Sequence, residues 1–275
     1  MENKVWLITG TSTGFGRVWT KAALDNGDRV MATVRKLEDI DDLKATYGDA
    51  IHPILLDVTN RRQCFEVADK CIAHFGRIDV LINNAGYGQF GYIEELTEDD
   101  VRQQMDVNVN GSIWMIQAVL PQMRRQESGH IIQVSSIGGL ISYPGIGMYH
   151  ASKYAVEGIC DSLSQEVAHF GVKVTLLEPG GYATDFASRS GRSAIPMPEY
   201  DLPRETRKKN AGAPSIGDPL ATCQPLLDLV ANPNPPLRLL MGKKPWKVLK
   251  PEYEARMKSW EENMQITIDS HGDQD

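Results

Sequence analysis

Short apolar runs alternate with longer segments of helical periodicity through most of the chain. The apolar runs predict strands at residues 5–9, 28–34, 51–56, 78–83, 130–135 and 172–178, with a further strand expected at 238–241. Because these runs are almost continuously apolar, the strands are expected to be buried on both faces, as in a parallel sheet. The pattern therefore predicts an α/β fold whose sheet of about seven strands is flanked by helices on both faces.

The helical segments occupy the intervals between the strands. They are expected at residues 37–46, 61–75, 98–126, 148–170 and 247–262, and a first helix follows a glycine turn and ends near Asn26. Strands joined through helices imply right-handed crossovers and a single doubly wound domain over residues 1–275. In such a sheet, a ligand is expected beyond the carboxyl ends of the strands.

Residues 187–217 interrupt the alternation of strands and helices. They contain several prolines and a basic cluster that includes Arg204 and Arg207, and no helical or strand period persists there. The segment is either a solvated surface loop or a lid over a substrate. Long structureless insertions in compact domains are often functional, so the lid is the favoured interpretation. Residues 269–275 are expected to form a flexible tail.

Composition excludes several classes of function. The net charge of −7 and a pI near 5.4 are not typical of a nucleic-acid-binding protein, which usually carries a basic stripe. The apolar runs are too short to cross a membrane, and the first residues lack the pattern of a signal peptide. The four cysteines show no C-x-x-C spacing and are too few for a disulfide scaffold. The protein is therefore expected in the cytoplasm, bound neither to nucleic acid nor to a membrane.

A glycine-rich turn directly follows the first predicted strand and opens the first helix. It reads Thr9-Gly-Thr-Ser-Thr-Gly-Phe-Gly16. Glycines let the backbone approach a diphosphate, and a helix N-terminus offers unpaired N–H groups and the positive end of its dipole. A glycine triplet alone is an ordinary turn signal, but its place between a strand and a helix favours dinucleotide binding.

Four further motifs follow the glycine turn in a fixed order. Asn83-Asn-Ala-Gly86 follows the fourth strand, Ser136 the fifth, Tyr149-x-x-x-Lys153 opens the next helix, and Pro179-Gly180 with Thr184 follows the sixth strand. With the T-G-x-x-x-G-x-G turn, these motifs resemble the short-chain dehydrogenase/reductase family, in its carbonyl reductase and hydroxysteroid dehydrogenase-like branch. The resemblance covers roughly residues 4–186 and implies a Rossmann-type fold and a nicotinamide dinucleotide cofactor.

The resemblance assigns cofactor contacts to residues along the edge of the sheet. Around the diphosphate and its ribose it places Gly10, Ser12, Thr13, Gly14, Phe15 and Gly16. On the adenine side it places Asp57, Val58, Asn84, Ala85 and Gly86. At the nicotinamide end it places Pro179, Gly180 and Thr184, and on the nicotinamide ribose Tyr149 and Lys153. An aspartate such as Asp57 is also an ordinary turn former, so this assignment depends on its place in the pattern.

The end of the second strand bears on the choice between NADP(H) and NAD(H). NAD enzymes usually place a carboxylate there to accept hydrogen bonds from the adenosine ribose, and Val34 cannot do so. Arg35 instead offers a planar set of donors that suits a 2′-phosphate. Thr13 is not basic, although many NADP-using relatives carry a basic residue there. NADP(H) is therefore the favoured cofactor, with NAD(H) as the alternative.

Tyr149 and Lys153 are four residues apart, so a helix places both side chains on one face. A phenol with a pKa near 10 exchanges protons poorly at neutral pH, and a nearby ammonium group together with the positive nicotinamide is expected to lower that pKa. The pair also occurs by chance on many helices. The family resemblance further implies that Ser136 reaches the substrate oxygen and that Asn108 interrupts the long helix and holds a water for proton relay. These four residues predict a complete catalytic set.

The predicted reaction interconverts a ketone and a secondary alcohol by hydride transfer. Residues expected near the substrate are mostly apolar or aromatic: Tyr87, Gln89, Phe90, Ile141, Tyr143, Pro144, Met148, Tyr182, Ile195, Met197 and Tyr200. They favour hydrophobic ketones or keto esters over small acidic metabolites. The alternatives are an NAD-dependent alcohol or hydroxysteroid dehydrogenase and a non-catalytic dinucleotide sensor. The family resemblance also implies a homodimer or homotetramer formed through the helices at 98–126 and 148–170.

Overall fold

The computed structural model of the chain describes residues 3–184, 191–210 and 216–272. Its strands are β1 (Val5–Ile8), β2 (Arg29–Val34), β3 (Ile51–Leu55), β4 (Val80–Asn83), β5 (Gln89–Phe90), β6 (Gly129–Val134), β7 (Val172–Pro179), β8 (Arg192–Ser193) and β9 (Arg238–Met241). Seven of them form one parallel sheet in the order β3-β2-β1-β4-β6-β7-β9. The predicted doubly wound parallel sheet is confirmed.

Helices connect the strands and cover both faces of the sheet. They are α1 (Gly14–Asp25), α2 (Asp41–Tyr47), α3 (Arg61–Phe75), α4 (Glu98–Met105), α5 (Gly111–Gln126), α6 (Gly147–Val167), α7 (Asp201–Asn210), α8 (Cys223–Ala231), α9 (Pro245–Glu262) and α10 (Met264–Asp269). A π-helical turn at Asp106–Asn110 joins α4 to α5. The predicted long helix at 98–126 is thus a continuous helical segment with a wider, π-helical turn in its middle. No helix among the described residues is long and apolar enough to span a membrane.

The sheet has a separate apolar core on each face because its central strands are buried on both sides. All four residues of β1 are buried: Leu7 packs into the core under α3, α5 and α6, while Ile8 packs into the core under α1 and α8. Each such aliphatic side chain contributes roughly 1.5–3 kcal/mol by leaving water. The indole nitrogen of buried Trp19 also has a hydrogen-bond partner, since Nε1 donates to Thr222 Oγ1 at 2.7 Å.

The strand order reverses at β1, which pairs with β2 on one side and β4 on the other. Connections leave the carboxyl ends of β1 and β4 toward opposite sides of the sheet, so a crevice opens between them. The glycine turn follows β1, and the Asn83-Asn-Ala-Gly86 motif follows β4. The topology therefore brings the two predicted cofactor motifs to the same crevice.

The prediction that residues 187–217 lack regular structure is wrong for two described segments. β8 pairs in parallel with β5, and α7 forms a helix of 10 residues. Hydrophobic periodicity missed α7 because the helix is polar on nearly every side, and its Pro203 lies in the first turn, where proline is tolerated. Residues 185–190 and 211–215 lie outside the described residues. Helix α8 was also not predicted.

The C-terminal elements differ in detail from the expectation. α9 begins at Pro245 rather than at Lys247, and α10 extends to Asp269. Of the predicted tail at 269–275, residues 273–275 lie outside the described residues. The flexible tail therefore stays a prediction.

Candidate active site

The glycine turn has the backbone geometry of an anion-binding loop. Gly10 and Gly14 have φ of +70° and +54°, which side chains disfavour. A Cβ on Gly16 would lie 2.2 Å from the Gly10 carbonyl oxygen, so α1 approaches the turn closely only with glycine there. No side chain caps the first turn of α1, although Thr13 occupies the N-cap position. The N–H groups of this turn are therefore available to a diphosphate.

Side chains next to the turn tie it to β2 and to the loop after β4. Gly10 N donates to Thr33 Oγ1 at 3.3 Å. Asn84 Nδ2 donates to the carbonyl oxygens of Thr9 and Gly10 at 2.8 and 2.9 Å. In return, Thr9 Oγ1 accepts from the main-chain N–H groups of Asn84 and Ala85, each at 2.9 Å. The structure thus brings Asn84 and Ala85 against the glycine turn, as the resemblance implies.

Phe15 and Ser12 occupy different environments within the turn. The Phe15 ring stacks on Trp19 with centroids 4.7 Å apart and meets Tyr182 edge-on at 5.1 Å. The Phe15 side chain therefore supports the packing of α1, which leaves its main chain for a ligand. Ser12 is half-buried at the mouth of the turn.

Two residues predicted on the adenine side have structural partners of their own. Asp57 Oδ1 accepts from the main-chain N–H and the hydroxyl of Thr59 at 3.0 and 2.7 Å, which is the turn-forming role considered above. The Val58 side chain is buried and packs closely on Gly111.

Arg35 directly follows β2 and is the residue predicted to favour NADP(H) over NAD(H). Its side chain is exposed, and among the described residues its guanidinium makes no hydrogen bond or ion pair. Thr33, two residues earlier, accepts from the main-chain N–H of Thr11 at 3.0 Å. Arg35 therefore lies next to the glycine turn with its donors free.

The residues predicted at the nicotinamide end lie at the carboxyl end of β7. Pro179 is the last residue of this strand and is buried, and Gly180 N donates to the Met241 carbonyl oxygen at 3.0 Å. Thr184 lies beside the glycine turn, because a Cβ on Gly14 would be 3.6 Å from Thr184 Cβ. The structure brings the two halves of the predicted cofactor site together.

Ser136, Tyr149 and Lys153 form one buried cluster. The hydroxyl groups of Ser136 and Tyr149 are hydrogen bonded to each other, and Ser136 Oγ also accepts from Gly138 N at 3.0 Å. Lys153 Nζ lies 5.6 Å from the centre of the Tyr149 ring and donates to the Val134 carbonyl oxygen at 2.8 Å. All three side chains are at most 9% exposed. The structure therefore brings together three of the four residues of the predicted catalytic set.

In the chain itself the pKa of Tyr149 is raised rather than lowered, and the lowering expected with a bound nicotinamide stays a prediction. Burial raises the pKa of Tyr149 to about 12, because removal from water disfavours the phenolate more than the hydrogen bond with Ser136 favours it. Burial also lowers the pKa of Lys153 to about 8, although the carboxylate of Glu157 opposes this shift. At neutral pH, Tyr149 is therefore protonated and can donate its proton.

Asn108 lies in the π-helical turn and connects three parts of the site. Its Nδ2 donates to the Tyr87 carbonyl oxygen at 2.9 Å and to Ser152 Oγ at 3.0 Å, while its Oδ1 accepts from Tyr87 N at 3.1 Å. Ser152 in turn donates to the Tyr149 carbonyl oxygen at 2.7 Å. A Cβ on Gly86 would lie 3.1 Å from Asn108 Oδ1. The Asn108 side chain thus holds the main chain around the site, and a water-holding role stays a prediction.

His150, which no sequence motif marks, supports the same site. Its Nδ1 lies 2.9 Å from the Gly138 carbonyl oxygen, and its Nε2 accepts from Tyr143 N at 2.9 Å. Because Nε2 accepts, the proton of the neutral ring is on Nδ1. Both partners are main-chain atoms of the loop between Ser136 and Tyr149. Only the position of His150 beside Tyr149 could have drawn attention to it.

The segment that contains β8 and α7 packs against the loop after Gly86. Buried Glu95 accepts from the main-chain N–H groups of Tyr92 and Met197 at 2.7 and 2.9 Å and forms an ion pair with Arg204. The rings of Tyr92 and Tyr200 stack with centroids 4.6 Å apart. Glu95 therefore anchors the described part of the predicted lid next to the crevice.

Comparisons with known proteins agree with this arrangement. Residues 4–194 match the model of the short chain dehydrogenase family. Oxidoreductase BOA17 of Botryotinia fuckeliana is 41% identical over 244 residues, which cover 87% of this chain and 89% of that protein. A 3-ketodihydrosphingosine reductase of Bacteroides thetaiotaomicron is 36% identical over 270 residues, 94% of each protein.

Solved structures extend the likeness to the whole fold. A short-chain dehydrogenase of Streptomyces avermitilis is 36% identical, with a TM-score of 0.91 over 98% of each chain. ElxO with NADP bound is 27% identical with a TM-score of 0.74, covering 86% of this chain and 96% of that one. A Burkholderia phymatum family member in complex with NAD is 25% identical with a TM-score of 0.76, covering 96% and 95%. The chain belongs to the short-chain dehydrogenase/reductase family and is an oxidoreductase.

Proposed function

We propose that this protein is an NADP(H)-dependent oxidoreductase that interconverts a ketone and a secondary alcohol, acting as a reductase of hydrophobic ketones or keto esters. The observation that carries the proposal is the buried cluster of Ser136, Tyr149 and Lys153 at the crevice. These residues combine two hydroxyl donors for a carbonyl oxygen with a cation in a site of low polarity.

Each residue of the cluster has a defined part in the reduction. The hydroxyl groups of Ser136 and Tyr149 donate hydrogen bonds to the substrate oxygen, which polarises the carbonyl carbon. The bound nicotinamide supplies the hydride. Tyr149 then transfers its proton to the oxygen, and Lys153 binds the ribose next to the nicotinamide and stabilises the phenolate that remains. Since Tyr149 is protonated at neutral pH, it is poised for the reductive direction.

NADP(H) is proposed over NAD(H) on the evidence of the second strand. Arg35 has free donors beside the glycine turn, and Val34 offers no carboxylate to a ribose hydroxyl. A bidentate arginine–phosphate contact is among the stronger polar interactions in proteins. The NADP-bound structure of ElxO supports this choice. NAD(H) is the second candidate, because the Burkholderia phymatum protein binds NAD and Thr13 is not basic.

A hydrophobic ketone is proposed as substrate because the segments around the cluster carry apolar and aromatic side chains. Tyr143 follows β6 and lies near the ring of His150, Tyr182 follows β7 and meets Phe15 edge-on, and Met197 and Tyr200 belong to the segment held by Glu95. Such walls favour apolar ligands, and a few polar groups set their orientation. A relative named 3-ketodihydrosphingosine reductase supports a ketone as the reacting group.

The test is turnover by the purified protein with NADPH or NADH and a panel of aromatic ketones and keto esters. Consumption of NADPH is expected to exceed that of NADH, and Tyr149→Phe is expected to lower kcat by about 100-fold or more, since general acid catalysis contributes on that scale. Tyr47→Phe is the matched control, because this tyrosine lies at the end of α2, away from the crevice. Equal turnover by Tyr149→Phe would refute the assigned proton donor, and tight cofactor binding without turnover would favour a sensor.

A further inference from the structure

Helix α6 carries a row of ionisable side chains that runs from the candidate active site to the surface. Tyr149, Lys153, Glu157 and Asp161 follow one another at four-residue spacing, so successive members are neighbours on the helix. The first three are buried, whereas the Asp161 side chain is 50% exposed. The proposed reduction gives roles to Tyr149 and Lys153, but none to the buried carboxyl group of Glu157.

Glu157 belongs to a polar cluster between α6 and the sheet. Its Oε2 lies 3.3 Å from Arg238 Nε on β9, and Arg238 Nη2 lies 3.2 Å from Asp161 Oδ2. A Cβ on Gly139 would lie 3.0 Å from Glu157 Cγ and 2.8 Å from Ser135 Oγ. The loop that leaves β6 therefore packs directly on the Glu157 side chain, and Arg238 fixes its carboxyl group from the other strand.

A second buried carboxyl group faces the same arginine. Glu178 Oε1, on β7, lies 3.8 Å from Arg238 Nε, and the Glu178 side chain is 2% exposed. Neither this oxygen nor Glu157 Oε1 has a hydrogen-bond partner among the described residues. Two carboxylates that share one guanidinium in a buried site cannot both ionise at low cost. The pair is therefore expected to keep one proton at neutral pH.

Glu178 is the member of the pair that keeps the proton. Burial and the Glu157 carboxylate raise the pKa of Glu178 to about 8, and Arg238 opposes this shift. Burial also raises the pKa of Glu157, but three neighbours favour its carboxylate: Ser135, Arg238 and Lys153. Glu157 is therefore the ionised member of the pair at pH 7.

The charges around Glu157 balance in this protonation state. The titratable and charged groups that face Glu157 or its partner Arg238 are Lys153 and Asp161 on α6, Glu178 on β7, Arg238 on β9 and Tyr253 on α9. With Glu178 and Tyr253 neutral, the lysine and the arginine supply two positive charges, and Glu157 and Asp161 supply two negative charges. Buried charge costs least when it is paired in this way.

The charge of Lys153 depends on Glu157. Burial lowers the pKa of the Lys153 ammonium group to about 8, and the Glu157 carboxylate opposes that shift. Lys153 Nζ donates to the neutral carbonyl oxygen of Val134, so among the described residues Glu157 is the anion that stabilises its charge. Without this carboxylate the pKa of Lys153 would fall further, and more of the protein would carry a neutral amine at pH 7.

We propose that Glu157 is a positioning residue for Lys153. Its carboxylate, fixed by Arg238, keeps the lysine ammonium group charged and in place beside Tyr149. That charge stabilises the phenolate that remains once Tyr149 has given its proton to the substrate oxygen. The proposal rests on the proposed function for its effect on turnover, whereas the charge of Lys153 is a property of the chain itself.

The experiment measures the pKa of Lys153 by NMR in the full chain labelled with carbon-13 at lysine Cε, with the signal assigned through Lys153→Arg. Glu157→Gln keeps the shape of the side chain but removes its charge, and is expected to lower this pKa by about 1 pH unit or more. Glu157→Asp keeps a carboxylate and is expected to restore part of the shift. Glu178→Gln is expected to change the pKa of Lys153 little, because Glu178 is already neutral at pH 7.

Glu66→Gln is the matched control for the loss of a carboxylate. Glu66 lies on α3, its side chain is 46% exposed, and it pairs with Arg62 on the same helix. The pKa of Lys153 is expected to be unchanged in this variant. An unchanged pKa of Lys153 in Glu157→Gln would overturn the proposal, as would an equal decrease in Glu66→Gln.

The wild-type chain supplies a readout that does not depend on the folding of Glu157→Gln. In carbon-13 spectra of the chain labelled at glutamate Cδ, Glu157 is expected to be ionised at pH 7 and Glu178 to be still protonated. The two signals are assigned through Glu157→Asp and Glu178→Gln. A protonated Glu157 at pH 7 would overturn the proposal, because it would leave Lys153 without its anion.

Turnover separates this proposal from the proposed function. With NADPH and an accepted ketone, the alkaline limb of the kcat/KM profile is expected to move to lower pH in Glu157→Gln, by the same amount as the pKa of Lys153. An unmoved limb despite a lowered pKa of Lys153 would overturn the positioning role. No turnover by the wild type with any ketone would contradict the proposed function instead, and the two NMR measurements would then decide whether Glu157 sets the charge of Lys153.

Discussion

His150 fixes the loop that connects the two hydroxyl groups of the site, and its replacement is expected to affect both stability and catalysis. The ring is 4% exposed and bridges Gly138 and Tyr143 through main-chain hydrogen bonds of 2.9 Å each. Gly138 N in turn donates to Ser136 Oγ at 3.0 Å. Loss of the ring therefore releases the loop that positions the hydroxyl group of Ser136.

The size of the effect follows from the two main-chain groups. His150→Phe leaves the buried Gly138 carbonyl and the partly buried Tyr143 N–H without partners. An unpaired buried group costs about 1–3 kcal/mol, and the Tyr143 N–H, which water can partly reach, adds about 1 kcal/mol, so the free energy of unfolding is expected to fall by roughly 2–4 kcal/mol. If the released loop displaces Ser136 by about 1 Å, kcat is expected to fall by up to about 100-fold. The affinity for NADPH is expected to change little, because His150 does not border the glycine turn.

The pH dependence of stability has the same origin. Burial lowers the pKa of His150, because the charged ring is poorly solvated there and would lose its acceptor for Tyr143 N. The unfolded state, with a pKa near 6.5, binds the proton more readily. The stability contributed by the neutral ring is therefore present above about pH 6.5 and is lost as the pH falls through the lowered pKa.

The assay compares urea unfolding and steady-state kinetics of three variants. His150→Asn keeps an amide donor near the Gly138 carbonyl, and His150→Gln keeps an acceptor near Tyr143 N. Each variant is therefore expected to show about half of the decrease in unfolding free energy and in kcat that His150→Phe shows. His169→Phe is the control, because this histidine lies at the far end of α6 and is exposed. If His150→Phe has the same midpoint of urea unfolding and the same kcat as the wild type, the positioning role is refuted.

Further predictions concern the cofactor, the lid and a buried histidine. Arg35→Asp is expected to weaken NADPH binding about 10–100-fold and to favour NADH, measured by fluorescence titration; an unchanged preference would contradict the role of Arg35. Glu95→Gln removes the ion pair with Arg204 and is expected to raise KM about tenfold with little change in kcat; an unchanged KM would separate this segment from substrate binding. Burial lowers the pKa of His130 to about 3, so stability is expected to fall as the pH drops below about 6.5, by up to ~4 kcal/mol near pH 3. His130→Gln is expected to flatten that decline in urea titrations at several pH values, and a decline as steep as that of the wild type would assign it to other groups.

Hydrophobic periodicity was sufficient to predict the strands of the sheet and most of the helices that cover it. The strands at β1 and β4 are buried on both faces, so their sequences are continuously apolar, and α3 has one apolar side that contains Cys64 and Cys71. Helix α7 gave no such signal, because it has almost no buried side and is held by Arg204 rather than by an apolar stripe. Periodicity detects only elements whose formation depends on burying one side.

The cluster of Ser136, Tyr149 and Lys153 was predictable because the chemistry proposed for it requires side chains at fixed spacing. Tyr149 and Lys153 are one helical turn apart, and the strand order brings Ser136 to them. His150 and Glu95 were not predictable, because their partners are mainly main-chain atoms that leave no pattern in the sequence. The raised pKa of Tyr149 in the chain was also not predictable, since the degree of burial depends on the packed structure.

Hydride transfer from the nicotinamide to the carbonyl carbon of the substrate is tested by following an isotope label. The purified protein is incubated with an aromatic ketone and NADPH that carries deuterium on both C4 positions, and the alcohol is analysed by mass spectrometry. The proposed reaction places one deuterium on the carbinol carbon, and Tyr149→Phe is expected to form little labelled alcohol. Formation of unlabelled alcohol by the wild-type protein, or no alcohol from any ketone despite bound NADPH, would contradict the account.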